Sequence, residues 1–109
     1  SSKILILGVT FKENCPDIRN SKVIDVYNEL RDFGLKVDAY DCEASSEEVA
    51  RKHGINLINT ISERYDGILL AVPHTKFSKI EINSIKKDSQ SVVFDLKGFL
   101  PRNQVDSRL

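Results

Sequence analysis

Lys3-Ile4-Leu5-Ile6-Leu7-Gly8-Val9, followed at once by Thr10-Phe11-Lys12-Glu13-Asn14-Cys15-Pro16-Asp17-Ile18-Arg19-Asn20, is the stretch on which the reading of this chain turns. The first part is a nearly continuous apolar run rich in β-branched residues, the pattern of a strand covered on both faces. From Ser21 the apolar residues fall at Val23, Ile24, Val26, Tyr27, Leu30 and Phe33, which is helical spacing, and Gly34 is placed to stop the helix. A strand feeding a helix in this way opens an α/β unit. The turn between them then lies at the carboxyl edge of the sheet, where such folds bind ligands. Reversal alone needs only a few residues. Here the connection runs from Thr10 to Asn20, with a proline bend and four charged side chains, so it specifies more than a change of direction.

The same alternation continues along the chain. Leu35, Val37 and Ala39 alternate with Lys36, Asp38 and Tyr40 and predict a second strand ending near Asp41. Ser45-Ser46-Glu47-Glu48 is a capping box opening a short helix to about His53, with Gly54 as its stop. Ile55 to Ile58 is a brief strand candidate, and Thr60-Ile61-Ser62-Glu63 repeats the capping pattern over one or two helical turns. Gly67 to Val72 reads as another buried strand ended by Pro73, Ile80 to Lys87 as a polar-faced helix, and Ser91 to Leu96 as the last strand. The tail from Pro101 is expected to be irregular. The predicted fold is α/β: a Rossmann-like three-layer sandwich, with a mostly parallel sheet of about five strands and helices on both faces. Residues 1–109 form a single domain.

Composition narrows the function. Lys+Arg and Asp+Glu both count 16, so no global field attracts nucleic acid or an anionic membrane. The longest apolar run is too short to span a bilayer. Cys15 and Cys42 fit neither a zinc spacing nor a redox pair, which predicts no metal and reduced thiols in a cytoplasmic protein. Each follows a predicted strand, and the two are expected on the same edge of the sheet. Methionine is absent, and the chain opens Ser1-Ser2 against the first strand; the expectation is a cloning remnant on a fragment of a larger protein.

The dinucleotide fingerprint fails. Gly8 is the only glycine in the first turn, where three are needed, although Asp41 closes the second strand where an acid could hold a ribose. What the first turn supplies is cations. Lys12 and Arg19 flank the Cys15-Pro16 bend, one an ammonium point charge and the other a planar fork suited to phosphate oxygens. A partly desolvated bond from either is worth roughly 1.5–3 kcal/mol. The plainer alternative pairs them with Glu13 and Asp17 as solvated loop charges. Lys97, in Phe94-Asp95-Leu96-Lys97-Gly98, follows the last strand on the same edge and is either a third anion contact or simply solvated. His74 sits after a central strand; it could serve as an acid or base, but no serine, cysteine or carboxylate has an evident triad relation to it. The residues alone describe a binding domain with no assembled catalytic group.

The stretch Gly8 to Asn20, with Ala71-Val72-Pro73-His74, Phe94-Asp95-Leu96-Lys97-Gly98 and Val105-Asp106-Ser107-Arg108-Leu109 in the same order, resembles the C-terminal UDP-binding domain of the UDP-glucose/GDP-mannose dehydrogenase family. The Glu-Asn-Cys-Pro-Asp wording is similar to the branch acting on UDP-N-acetylhexosamines for capsule and O-antigen synthesis. The resemblance implies an NAD-dependent UDP-sugar 6-dehydrogenase of three parts. It oxidises the sugar C6 alcohol to a carboxylate in two hydride transfers, with NAD held mainly by an N-terminal domain and a central helical domain forming a homodimer. The family's nucleophilic cysteine and its assisting lysine, asparagine and aspartate belong outside this segment, so no catalytic residue is expected here and neither Cys15 nor Cys42 is the nucleophile.

By the same resemblance, Phe11, Lys12 and Lys97 match substrate-binding positions and Arg19 matches the arginine that reaches NAD across the domain seam. Lys97 stands where relatives acting on UDP-glucose often carry arginine, and lysine lacks the fork. Cys42 stands where many relatives have proline. The competing readings are a free-standing nucleotide-binding or regulatory α/β module, and a structural assembly domain whose basic edge is idle.

Overall fold

The computed structural model describes residues 3–10, 14, 22–72, 74–88, 90–95 and 107–108. Its centre is a five-stranded sheet with every neighbouring pair parallel. The strands are β1 (Lys3–Leu7), β2 (Lys36–Tyr40), β3 (Gly67–Leu70), β4 (Val92–Asp95) and β5 (Ser107–Arg108), in the spatial order β2-β1-β3-β4-β5. The helices are α1 (Val23–Asp32), α2 (Ser46–His53) and α3 (Ile82–Ile85), with a 3-10 turn at Thr75–Lys79. The α/β, Rossmann-like expectation is borne out.

Side-chain alternation along the strands divides the core in two. On one face Ile6 and Ala39 pack against Ile24 and Tyr27 of α1 and Val49 of α2. On the other, Leu5, Leu7, Ile68, Leu70 and Val93 pack against Phe77, Ile82 and Ile85, with Tyr65 among them. A strand buried on both sides has no polar position to offer, which is why Leu5, Ile6 and Leu7 are all fully buried. Beyond α1 the first face stays partly uncovered: Ile4, Leu69, Val92 and Phe94 line an apolar groove with Val26 and Leu30.

Local signals set the α1 and α2 boundaries. The Gly34 amide donates to Arg31 O (2.9 Å) and the Leu35 amide to Leu30 O (3.3 Å), a Schellman pair that closes α1 with Gly34 at φ 87°. Ser45 caps α2 by accepting the Glu48 amide at 3.3 Å, and Gly54 ends it at φ 69°.

Three sequence expectations between residues 55 and 87 are corrected. Residues 55–58 do not form a strand: only the Ile58 amide reaches β2, at Ala39 O (2.9 Å), while Ile55 and Leu57 turn into the core. No helical turn forms at 60–63, because the residues that would extend it are held in extended pairing. The Tyr65 amide donates to Ile85 O (2.8 Å), and Asp66 exchanges bonds with Lys3, its amide to Lys3 O (2.8 Å) and its Oδ2 from the Lys3 amide (2.9 Å).

The third concerns 80–87, where one helix was expected. Ile80 and Glu81 are extended, α3 lasts one turn with Ile82 and Ile85 inward, and Lys86 is drawn into a bridge with Tyr65. The Lys86-Lys87 pair therefore lies on that bridge rather than on a helix. Tyr65 earns this grip by burial, its hydroxyl donating to Asp38 Oδ2 at 2.6 Å. Burial, then the Asp38 and Glu63 carboxylates, push its pKa above the ordinary tyrosine value.

Within the tail expected to be irregular, Ser107–Arg108 form a fifth parallel strand beside Phe94 and Asp95. Among the described residues no helix is long and apolar enough to cross a membrane.

Candidate functional site at the carboxyl edge

Because β1 lies between β2 and β3, the residues that follow these three strands meet at one edge. Gly8 makes the approach possible. It has φ 95°, and a Cβ there would lie 2.6 Å from both the Cβ and the carbonyl oxygen of Val72. Its amide donates to Tyr40 O at 2.9 Å, so this glycine seats β1 against its neighbours on both sides.

Asp41 is the hub of the edge. Its Oδ1 accepts the amides of Glu43 (2.7 Å) and Ala44 (2.8 Å), turning the chain toward α2. Its Oδ2 accepts the Val9 amide (2.7 Å) and lies 2.9 Å from His74 Nε2. Burial acts to raise the Asp41 pKa, but the bonds from His74, Val9, Glu43 and Ala44 together outweigh it and hold the carboxyl below its ordinary range. Asp41 is therefore a buried, fully bonded carboxylate. The ribose role considered for it is corrected: both oxygens are committed to partners inside the domain.

His74 is entirely buried, with its ring centroid 5.2 Å from that of Phe77. Its Nδ1 accepts the Asn14 amide at 2.8 Å, which assigns the remaining ring proton to Nε2. Nε2 faces Asp41 Oδ2 and, at 3.1 Å, Thr10 Oγ1. A carboxylate 33 residues away in the chain is thus bonded to His74. A nucleophile–base–acid relay nevertheless does not follow, since such a relay uses the two ring nitrogens for its two partners. Here the hydroxyl and the carboxylate share one nitrogen, and a backbone amide occupies the other.

Asn14 completes the cluster at φ 59°, a conformation that asparagine tolerates better than most residues. Its Oδ1 accepts the Thr75 amide at 2.7 Å while its own amide bonds to His74, so two bonds clamp it to the segment after β3. Cys42 is half-buried with a free thiol, and burial, then the Asp41 and Glu43 charges, push its pKa up, which lowers its thiolate fraction. Among the described residues no group of His, Cys, Asp and Glu is placed to hold a metal ion. At the opposite edge Lys3, Lys36, Arg64, Asp66 and Lys87 line a cavity of about 270 Å³, where Lys3 pairs with Glu63 and Lys87 with Asp66.

Of the residues singled out from sequence, Phe11, Lys12, Arg19 and Lys97 lie outside the described residues, as does Cys15. The structure brings together Thr10, Asn14, Asp41 and His74 instead. Thr10 and Asn14 lie within the stretch Thr10 to Asn20 but carry no charge to mark them as site residues. The sequence signal for the turn is an asparagine, a residue type that tolerates a positive φ.

A parallel, Rossmann-like domain whose first-turn glycine serves strand packing, and whose β2 acid is spent on the edge itself, differs from a dinucleotide cradle. It belongs to the UDP-glucose/GDP-mannose dehydrogenase family, whose UDP binding domain matches residues 5–102. The UDP-N-acetyl-D-glucosamine 6-dehydrogenases of Salmonella typhi and Pseudomonas aeruginosa are 46% and 40% identical over 112 and 111 residues, each covering 99% of this chain. The chain spans about a quarter of the length of these relatives, 26% in both cases. A solved UDP-glucose dehydrogenase from Pyrobaculum islandicum superimposes with a TM-score of 0.77 at 18% identity, over 99% of this chain and 24% of that one, and supports the fold.

Proposed function

We propose that this chain is the nucleotide-sugar-binding domain of an NAD-dependent UDP-sugar 6-dehydrogenase that converts the sugar C6 alcohol to a carboxylate. The product class is a UDP-hexuronic acid for capsular or surface polysaccharide, made in the cytoplasm by a homodimeric enzyme. The observation that carries this reading is the match of residues 5–102 to the family's UDP binding domain, joined to 40–46% identity with two UDP-N-acetyl-D-glucosamine 6-dehydrogenases. In this reading residues 1–109 are one domain of a longer polypeptide. Phe11, Lys12 and Lys97 meet the UDP-sugar, and Arg19 reaches NAD held by another domain. Gly8 packs against Val72 and the first turn lacks the further glycines of the dinucleotide fingerprint, so Gly8 does not open a cradle for a pyrophosphate.

The test is the parent protein assayed for NADH formation with NAD and UDP-N-acetylglucosamine, UDP-N-acetylmannosamine or UDP-glucose. Turnover with one of these is expected. Lys12→Ala should raise KM for the UDP-sugar roughly tenfold or more, the value of one charge-assisted hydrogen bond. Arg19→Ala should raise KM for NAD or lower kcat. A parent protein that binds UDP in a calorimeter yet makes no NADH with any of the three would favour the free-standing binding module.

A further inference from the structure

We propose that the cavity at the amino edge of the sheet is an anion site that takes a small diphosphate-type anion. Lys36 and Arg64 are its principal contacts, with Lys3 and Lys87 as supporting charges. The site lies at the end of the strands away from the Asp41–His74 cluster, and the function proposed above assigns it nothing.

Backbone pairing gathers these cations. Lys3 opens β1 and Lys36 opens β2, and the two are direct partners in the parallel register. Arg64 stands two residues before Asp66, which is tied to Lys3 in both directions, by its amide to Lys3 O (2.8 Å) and by its Oδ2 from the Lys3 amide (2.9 Å). Lys87 comes from the segment after α3, its amide donating to Tyr65 O at 2.9 Å, and the Ser91 hydroxyl donates to the same carbonyl at 2.9 Å. Segments far apart in the chain thus set Lys3, Lys36, Arg64, Asp66 and Lys87 around one cavity of about 270 Å³.

The charge there is unbalanced. Lys3 Nζ pairs with Glu63, and Lys87 Nζ lies 3.6 Å from Asp66 Oδ1. The bond from the Lys3 amide, then the Lys87 ammonium, hold the Asp66 carboxyl below its ordinary range, so it stays ionised as the partner of Lys87. Lys36 and Arg64 are exposed and have no ion pair among the described residues. Four cations therefore face two carboxylates, and the cations left over repel one another until an anion enters. Arg64 offers a planar fork to phosphate oxygens and Lys36 a point charge, one contact for each of two phosphate groups. The cavity is just smaller than the ~300–1,000 Å³ pockets that hold drug-sized ligands, which suits a diphosphate and leaves no room for a base and a sugar as well.

The probe is inorganic pyrophosphate, titrated calorimetrically into the full-length parent protein with excess UDP-N-acetylglucosamine present, so that a nucleotide-sugar site elsewhere is filled. Saturable binding with Kd below about 1 mM at low salt is expected, weakening as salt rises, with orthophosphate severalfold weaker. Lys36→Gln and Arg64→Gln should each weaken pyrophosphate severalfold and together roughly tenfold or more. Both side chains are exposed, so neither change removes a core contact. Lys52→Gln, which removes an exposed cation of α2, should leave the affinity unchanged.

No saturable binding to the wild type overturns the proposal, as does an unchanged affinity in the double variant. A loss in Lys52→Gln equal to that in the double variant also overturns it, since the anion then responds to a diffuse field rather than to this cavity. If the double variant does not fold, the two single variants decide by the same criterion. NADH formation is no part of the readout, so a failure of the dehydrogenase reading and a failure of this site are seen separately.

Discussion

Asp41 shows how one carboxylate can be made indispensable without touching a ligand. Substituting asparagine keeps the shape but turns one acceptor into an NH2 group, which faces either the Val9 amide and His74 Nε2–H or the Glu43 and Ala44 amides. The network then loses two bonds and gains donor–donor contacts, expected to cost about 3 kcal/mol in urea unfolding at neutral pH. The acid limb of stability follows from the same bonds. The folded-state pKa lies below the ordinary aspartate value of 3.8, so the unfolded chain takes up its proton first as pH falls. Asp41's contribution is therefore complete above that value and is lost as pH drops below it toward the folded-state pKa. Urea midpoints of wild type measured from neutrality down through that window should fall more steeply than those of Asp41→Asn; parallel curves would remove Asp41 from the acid response. The sequence placed Asp41 correctly at the end of β2 and then misread its use. Its partner His74 is 33 residues away, a pairing decided by strand order, which no local pattern encodes.

Among elements, two glycines with positive φ separate local strain from close approach. A Cβ on Gly34 would meet nothing within 4 Å, so Gly34→Ala should cost only the left-handed strain, about 1–2 kcal/mol. Gly8→Ala meets Val72 backbone and side chain at 2.6 Å in addition, and should cost about 3 kcal/mol or more or leave the chain unfolded. Equal losses by thermal or urea unfolding would mean that the β1–β3 seam yields easily. The ends of α1 and α2 were legible because caps and stops are written within a few residues. The segments 60–63 and 80–87 were not, since Tyr65 pairs with Lys86 just beyond the first segment and near the end of the second, a contact outside either local window. Ser107–Arg108 carry no alternation to read; they are a strand because the edge of β4 offers them backbone partners.

At the scale of the molecule, parallel α/β architecture was visible from three apolar runs and the helical spacing between them, whereas the assembly of the carboxyl edge was not. That assembly has a temporal consequence. The bonds from Asp41 to Val9 and His74, and from His74 to Thr10 and Asn14, join residues 32 to 64 positions apart. The full network cannot form before β1, β2 and β3 stand side by side, and contacts of such separation are made only after the loops between them have closed. The edge is thus expected to lock after the folding transition state rather than within it. Asp41→Asn should then accelerate unfolding by nearly the whole of its equilibrium effect and leave refolding almost unchanged. Stopped-flow chevrons decide it: a refolding limb slowed as much as the unfolding limb is quickened would place the edge in the nucleus. With the edge formed last, its integrity sets how long the domain stays folded more than how fast it gets there.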